Sequence, residues 1–357
     1  MNPRLSPTLA IAQAVDRRRS LGEKAWSLSS PSFPVPEKLP DISGDWFKLS
    51  EPAGIPELRK KAQDAFFGKW IAPQHQCIVT AGAKAAIFSI FKTITNTGDT
   101  VIIPQPAWPS YIDLALAAGA KPITIKRLTD SFCIDILELK TLVETRRPKA
   151  IIISNPCNPT GRITPRSELK ELVKICNIFD LYLIIDQSFS SIVFDHNSWK
   201  TSVITDVRKL ILVDSFSKNF LMQGARVAAT LVPNDISEHV IRMHETFMSS
   251  APTPAQKIAL WAMEWENSMP DLSQQRNLAK RFILEMNWSS YPQQGTFYFF
   301  PKIPNMEEFS KRAKDNGIFL LQGDAFGAGY KDHFRLCFGK SVDELKTIFT
   351  KLSDKLK

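Results

Sequence analysis

Leu210-Ile-Leu-Val-Asp-Ser-Phe-Ser-Lys-Asn-Phe-Leu-Met-Gln-Gly-Ala-Arg226 is the stretch on which the fold turns. Its first residues are apolar without alternation. That pattern suits a strand covered on both faces, not one with a wet side. The apolar run gives way to Ser215, Ser217 and Lys218, and Arg226 follows eight residues later. Outward from it the pattern recurs. Gln76-Cys-Ile-Val-Thr80, Thr100-Val-Ile-Ile-Pro104, Lys121-Pro-Ile-Thr-Ile125, Ala150-Ile-Ile-Ile-Ser154, Leu181-Tyr-Leu-Ile-Ile185 and Arg226-Val-Ala-Ala-Thr-Leu-Val232 read as further strands. Ala85 to Thr95, Tyr111 to Ala118 and Ser167 to Phe179 read as helices between them. Short apolar strands alternating with helices predict an α/β layer with a mostly parallel sheet flanked by helices.

The ends of the chain read differently. A helix is expected from Pro7 to Leu21, then an extended arm held open by Pro31, Pro34, Pro36 and Pro40. Pro56 suits the first position of a helix running to Phe67. Beyond Asp235 helices dominate, at Ser237 to Met248, Pro254 to Asn267 and Leu272 to Met286, before a strand pattern at Thr296 to Phe300. The expected division is an arm and part of a small domain over 1–44, a large domain over 45–240, and a connecting helix with a small C-terminal α+β domain over 241–357.

Bulk properties narrow the function. The 357 residues are 44% apolar and 23% charged, ordinary for a globular enzyme-sized chain. The five cysteines are scattered, odd in number and without metal-ligand spacing, so they read as reduced thiols of a cytoplasmic protein. No apolar run is long enough to span a membrane. The N-terminus does not read as a signal peptide, because Arg17 to Arg19 follow a short apolar stretch instead of preceding it. The formal charge of +9 is spread without dense blocks, which points to a solvated basic surface and away from nucleic acid. No strand leads into a Gly-x-Gly-x-x-Gly turn, which argues against a nicotinamide dehydrogenase.

Three strands end in chemistry-bearing residues. Ser154 runs into Asn155-Pro-Cys-Asn-Pro-Thr-Gly161, Ile185 into Asp186, and Val213 into Ser215 and Lys218. Ligands of open α/β sheets bind beyond the carboxyl ends of strands, so these ends are candidates for one site. Each has an ordinary alternative. Asp186 and Asn158 suit turns, Lys218 suits a surface, and Trp108 suits a core. Gly82 and Ala83, between a strand and a helix, expose N–H groups that form a phosphate cradle. Arg335, a lone cation in the apolar run His333-Phe-Arg-Leu-Cys-Phe338, needs an anion such as a carboxylate. A strand-end amine beside hydroxyls and an arginine suits a phosphate-bearing aldehyde held as a Schiff base, which means pyridoxal 5'-phosphate.

Taken together, the chain resembles the class I/II aminotransferases, fold type I pyridoxal phosphate enzymes. The resemblance is carried by Pro52-Ala-Gly-Ile-Pro-Glu-Leu-Arg59, Thr80-Ala-Gly-Ala-Lys84, Gly98-Asp-Thr-Val101, Asn155 to Gly161, Ser215-Phe-Ser-Lys218 with Gly224 and Arg226, and Phe334-Arg-Leu336. It implies that Lys218 forms the Schiff base and shuttles a proton. It implies that Asp186 pairs with the pyridine nitrogen, Asn158 bonds the phenolic oxygen and Trp108 stacks on the ring. Gly82, Ala83 and Lys84 would hold the phosphate with Ser215 and Arg226, and Arg335 would clamp the substrate carboxylate. The implied activity moves an amino group from an amino acid to a 2-oxo acid, in a homodimer with its active sites at the interface. No metal is implied.

The match also has gaps. The family's usual Asp-x-x-Tyr is Asp186-Gln-Ser-Phe189 here, and Phe189 cannot donate to the phenolic oxygen. Losing that donor should raise the pKa of the lysine imine. Leu49 stands where the family tends to carry a tyrosine reaching the partner's phosphate, and Ser29-Ser-Pro31 replaces a Gly-Glu-Pro run that touches substrate. Transamination is the leading expectation, because every residue that route needs for proton transfer is present. A pyridoxal phosphate-dependent lyase, decarboxylase or oxidase is the alternative, and a non-catalytic cofactor-binding domain comes third. Phe33, Trp46 and Tyr111 are candidates for an aromatic substrate pocket.

Overall fold

A computed structural model describes residues 5–33, 40–41, 44–68, 74–201, 208–264 and 271–353. Pro34 and Pro36 of the expected arm, and the end of the helix expected to reach Asn267, lie outside them. The strands are β1 (Trp26–Ser27), β2 (His75–Thr80), β3 (Thr100–Gln105), β4 (Lys121–Lys126), β5 (Ala150–Ser154), β6 (Tyr182–Asp186), β7 (Leu210–Ser215), β8 (Ala228–Pro233), β9 (Tyr298–Phe299), β10 (Ile318–Phe319), β11 (Leu321–Gln322) and β12 (Phe334–Cys337). The first helices are α1 (Pro7–Ser20), α2 (Pro56–Phe67), α3 (Ala83–Ile94), α4 (Ser110–Ala117), α5 (Ile136–Arg146), α6 (Arg166–Ile178) and α7 (His196–Thr201). The remainder are α8 (Phe216–Asn219), α9 (Asn234–Met248), α10 (Thr253–Glu264), α11 (Ser273–Glu285), α12 (Met306–Asp315) and α13 (Val342–Ser353).

Seven strands form one sheet in the order β2-β8-β7-β6-β5-β3-β4. All its pairings are parallel except those that β8 makes with β2 and β7. The apolar runs bury both faces. Ile151, Ile153, Leu183, Ile185 and Leu212 face one cluster with α2, α6 and α10, while Ile152, Ile184, Ile211 and Val213 face another with α3 and α4. Continuous apolar sequence was therefore the right sign of double-sided burial. The first cluster extends through Ala255, Ala259 and Ala262 of α10, beyond residue 240. Among the described residues, no helix is long and apolar enough to cross a membrane.

A second body joins the two ends of the chain. Trp26 and Ser27 of β1 pair in parallel with Ile318 and Phe319 of β10, and β9, β11 and β12 form a small antiparallel sheet. Its core packs Leu28 with Phe282, Phe297, Phe334 and Phe349. Two strand expectations shift. β8 begins at Ala228, because Arg226 adopts a left-handed backbone (φ 59°) that breaks extension. Thr296 does the same (φ 64°), leaving only Tyr298 and Phe299 as strand.

Candidate active site

β2, β3, β5, β6 and β7 run the same way, so their carboxyl ends open on one edge of the sheet. There they border a cleft of about 440 Å³. Its wall includes Lys218, Asp186, Asn158 and Trp108, which come from the ends of four different strands. Ala83, Lys84, Ser215 and Arg226 also line it, and Arg335 enters from β12 of the second body. Of the expected site residues, Gly82 caps the helix behind Ala83. Ser30 and Pro31 line the cleft, whereas Ser29 is fully buried and is absent from its wall.

The anion-binding end follows from local geometry. Gly82 is the N-cap of α3 and has no side chain to occupy the first N–H groups of that helix, which are left for a ligand. Its φ of 85° is left-handed, and a Cβ there would sit 2.4 Å from Arg226 Nη2. Only glycine thus allows the guanidinium and the helix start to approach so closely. Arg226 Nη1 donates to the Ser217 hydroxyl (3.2 Å) and to the Gln223 carbonyl (2.9 Å). His244, pushed down to about 4 by burial, stays neutral and accepts from the Ala81 N–H at 3.0 Å.

Asp186 holds the centre. The Tyr111 hydroxyl donates to its Oδ2 at 2.7 Å, and the Ser188 N–H and hydroxyl donate to its Oδ1 at 3.0 and 2.6 Å. Burial raises its pKa, and these bonds lower it in part. Among the described residues it has no cationic partner within 4.0 Å. A buried carboxylate of this kind calls for a cation, and Oδ2 keeps a free lone pair for one. Trp108 packs edge-on to Tyr111 (5.3 Å, 88°), with Lys84 Nζ 5.4 Å from the Trp108 ring.

Lys218 lies in the one-turn helix α8, whose N-cap Ser215 accepts from the Ser217 N–H. Its side chain is partly accessible, but the amine sits among apolar and cationic groups, 6.0 Å from the Phe297 ring. Desolvation, with Arg335 and Arg226 nearby, brings its pKa down to about 8. A lysine that loses its proton this readily suits attack on a carbonyl. Arg335 is buried and has no carboxylate partner among the described residues. Its Nη1 donates to Asn158 Oδ1 (2.9 Å), its Nη2 to the Ser29 carbonyl, and its Nε is unpartnered. Its guanidinium lies 4.1 Å from the Tyr298 ring.

Phe189 is buried, with its ring edge-on to Phe297 (5.3 Å) and Tyr298 (5.7 Å). Leu49 is 78% exposed. Of the aromatic candidates, Tyr111 lines the cleft, Phe33 packs on Phe297 and Trp46 is buried outside the wall.

The model for the family "aminotransferase class I and II" matches residues 31–352. The chain is a class I and II aminotransferase. It is 28% identical to the (5-formylfuran-3-yl)methyl phosphate transaminase of Methanocaldococcus jannaschii, covering 95% of this chain and 92% of that protein. It is 29% identical to the aspartate aminotransferase of Thermotoga maritima, covering 98% and 96%. The crystal structure of the Thermotoga maritima aspartate aminotransferase superposes with a TM-score of 0.88 at 26% identity, covering 99% of this chain and 98% of that one. The aminotransferase accordingly uses pyridoxal 5'-phosphate to move an amino group from an amino acid to a 2-oxo acid. Its residues fit that cofactor. The cradle of Gly82 and Arg226 suits the phosphate, the uncompensated Asp186 suits a ring cation, and the low-pKa Lys218 suits the aldehyde.

Several residues of this aminotransferase site carry little signal in the sequence. Tyr111, a candidate for substrate contact, is also the donor to Asp186, and it stands in the first turn of α4, three residues after Trp108. Ser154, Ser188 and Gln223 line the cleft, as do Thr8, Leu9 and Ala12 of α1, which no local pattern marks.

Proposed function

We propose that Lys218 is the lysine that carries the cofactor and then moves the proton during transamination. The observation that carries this reading is an amine with a pKa of about 8, in the same cleft as Asp186 and Arg335. The bound cofactor supplies an electron sink for the bond that breaks at the substrate α-carbon. The remaining work belongs to the chain. Asp186, oriented by Tyr111 and Ser188, pairs with the ring nitrogen and keeps it protonated. Asn158, with its Oδ1 held by Arg335, offers its amide N–H to the phenolic oxygen. Trp108 covers the ring. The first N–H groups of α3, at Gly82, Ala83 and Lys84, grip the phosphate with Ser215 and Arg226. Arg335 takes the substrate carboxylate in place of an internal acid, with Ser29 holding its Nη2 from behind. Lys218, whose pKa of about 8 leaves far more of it neutral near pH 7 than an ordinary lysine, takes and returns the proton.

The large domain in this proposal runs from about residue 45 through α10, because α10 shares the core of the sheet. The small domain draws on both ends of the chain. A homodimer is part of the proposal. Phe47 and Leu49 are 82% and 78% exposed, and Phe247 and Met248 are 41% and 40% exposed. A Ser50–Ser250 hydrogen bond (3.1 Å) brings the two segments together, and a joined apolar patch of this kind suits a symmetric interface. A cytoplasmic location accords with five unpaired cysteines.

Purified protein mixed with pyridoxal phosphate should give a visible band that Lys218→Ala loses. Without a keto acid, one amino acid of a panel should convert the cofactor to pyridoxamine phosphate. Absence of the band sinks the proposed role of Lys218. Release of carbon dioxide, or of ammonia with oxygen uptake, would make Phe189 the mark of a decarboxylase or an oxidase instead.

A further inference from the structure

Lys218 Nζ donates to Gln223 Oε1 at 2.8 Å, and this is its sole hydrogen bond among the described residues. No carboxylate stands within 4.0 Å of the amine there. The charged and titratable groups that face it are Arg335 and Cys337 of β12 and Arg226 beyond α8. Gln223 is therefore the group that decides where this amine rests. It sits on the turn after α8, half-buried in the cleft wall, five residues beyond the lysine. Its own backbone carbonyl is held by Arg226 Nη1 at 2.9 Å. The turn that aims the phosphate-binding arginine thus also aims the glutamine amide. An amide suits this place for a physical reason. A carboxylate would fix the lysine as an ammonium ion, whereas an apolar side chain would leave a desolvated amine without a partner.

We propose that Gln223 is a positioning residue whose side-chain carbonyl holds the Lys218 amine whenever that amine is not joined to the cofactor. This rests on the reading of Lys218 as the cofactor-carrying lysine. Gln223 accepts more strongly from an ammonium ion than from an amine, so it also supports proton uptake by Lys218.

The test uses full-length protein stripped of cofactor. The reactivity of Lys218 toward acetic anhydride is followed across pH by peptide mass spectrometry, in the wild type, Gln223→Met and Gln223→Glu. Loss of one neutral acceptor should lower the Lys218 pKa by about half a unit to one unit in Gln223→Met. A carboxylate of the same shape should raise it by about one to three units in Gln223→Glu. Titration of Lys218 at the wild-type pH in both variants overturns the proposal. Gln223→Glu keeps the shape of the side chain, so the test stands if Gln223→Met does not fold. If the wild type forms no visible band with pyridoxal phosphate, the functional reading fails. If the band forms and the pKa stays fixed, only the role of Gln223 fails.

Discussion

Replacing Asp186 with asparagine isolates the electrostatic core of the site. The carboxylate is 6% exposed, accepts three hydrogen bonds from Tyr111 and Ser188, and has no cation within 4.0 Å among the described residues. Burial raises its pKa. A carboxyl whose proton affinity is raised on folding stabilises the fold while it is protonated. That contribution is present in acid and fades as pH rises through the folded-state pKa. The charged form of Asp186 is therefore unfavourable in the cofactor-free protein, and in the proposed reading a protonated ring nitrogen would relieve it. Asparagine keeps the volume and an acceptor for Ser188, and the Tyr111 hydroxyl can turn to accept from the new amide. Cofactor-free Asp186→Asn should melt at or above the wild-type temperature near neutral pH and lose that advantage in acid. Breaking a buried ion pair from one side costs about 3–5 kcal/mol, which corresponds to a loss of cofactor affinity of about 150-fold to several thousandfold. Titration with pyridoxal phosphate measures the affinity, and thermal melts in acid and at neutral pH measure the stability. An unchanged affinity, or a variant that melts well below the wild type without cofactor, would refute the reasoning.

Arg335→Ala should raise the KM for the amino acid by about 30-fold or more, the equivalent of losing one buried charged contact, with little effect on cofactor affinity; an unchanged KM rejects the clamp. Because the Lys218 pKa is about 8, cofactor attachment followed by stopped-flow absorbance should quicken about tenfold per pH unit below that value and level off above it. At pH 7 the neutral fraction is roughly 300 times that of an ordinary lysine, so a rate still climbing near about pH 10 contradicts the assignment. Glu168 lies 2.5 Å from Arg162 and 3.7 Å from Arg127 with all three buried, so Glu168→Gln should destabilise folding by about 3–5 kcal/mol and lower Tm by several degrees in calorimetry. A Tm within about one degree of the wild type would mean that the network is not a closed ion cluster.

Legibility in the sequence tracked how local each determinant is. β3, β5, β6 and β7 were placed to within two residues, because strands buried on both faces must be apolar at every position. The helix Ile136–Arg146 is absent from the expected elements, although Asp135 caps it by accepting from the Leu137 and Glu138 N–H groups. An aspartate before a helical run was a usable signal there. The starts of β8 and β9 were misjudged where Arg226 and Thr296 turn left-handed. Such a backbone is uncommon for residues other than glycine, so neither Arg226 nor Thr296 announces it in the sequence.

By itself the sequence determined the class of fold, the strand ends and the residue types that face the ligand edge, because periodicity and strand termini are local properties. Only the tertiary structure decided which of those residues act on one another. Tyr111 meets Asp186 across 75 positions of chain, and Arg335 meets Asn158 across 177. Those meetings depend on the order in which the strands pair and on how the chain ends fold back onto the sheet. Even the bond from Lys218 to Gln223, only five residues apart, depends on a turn whose Gln223 carbonyl Arg226 holds.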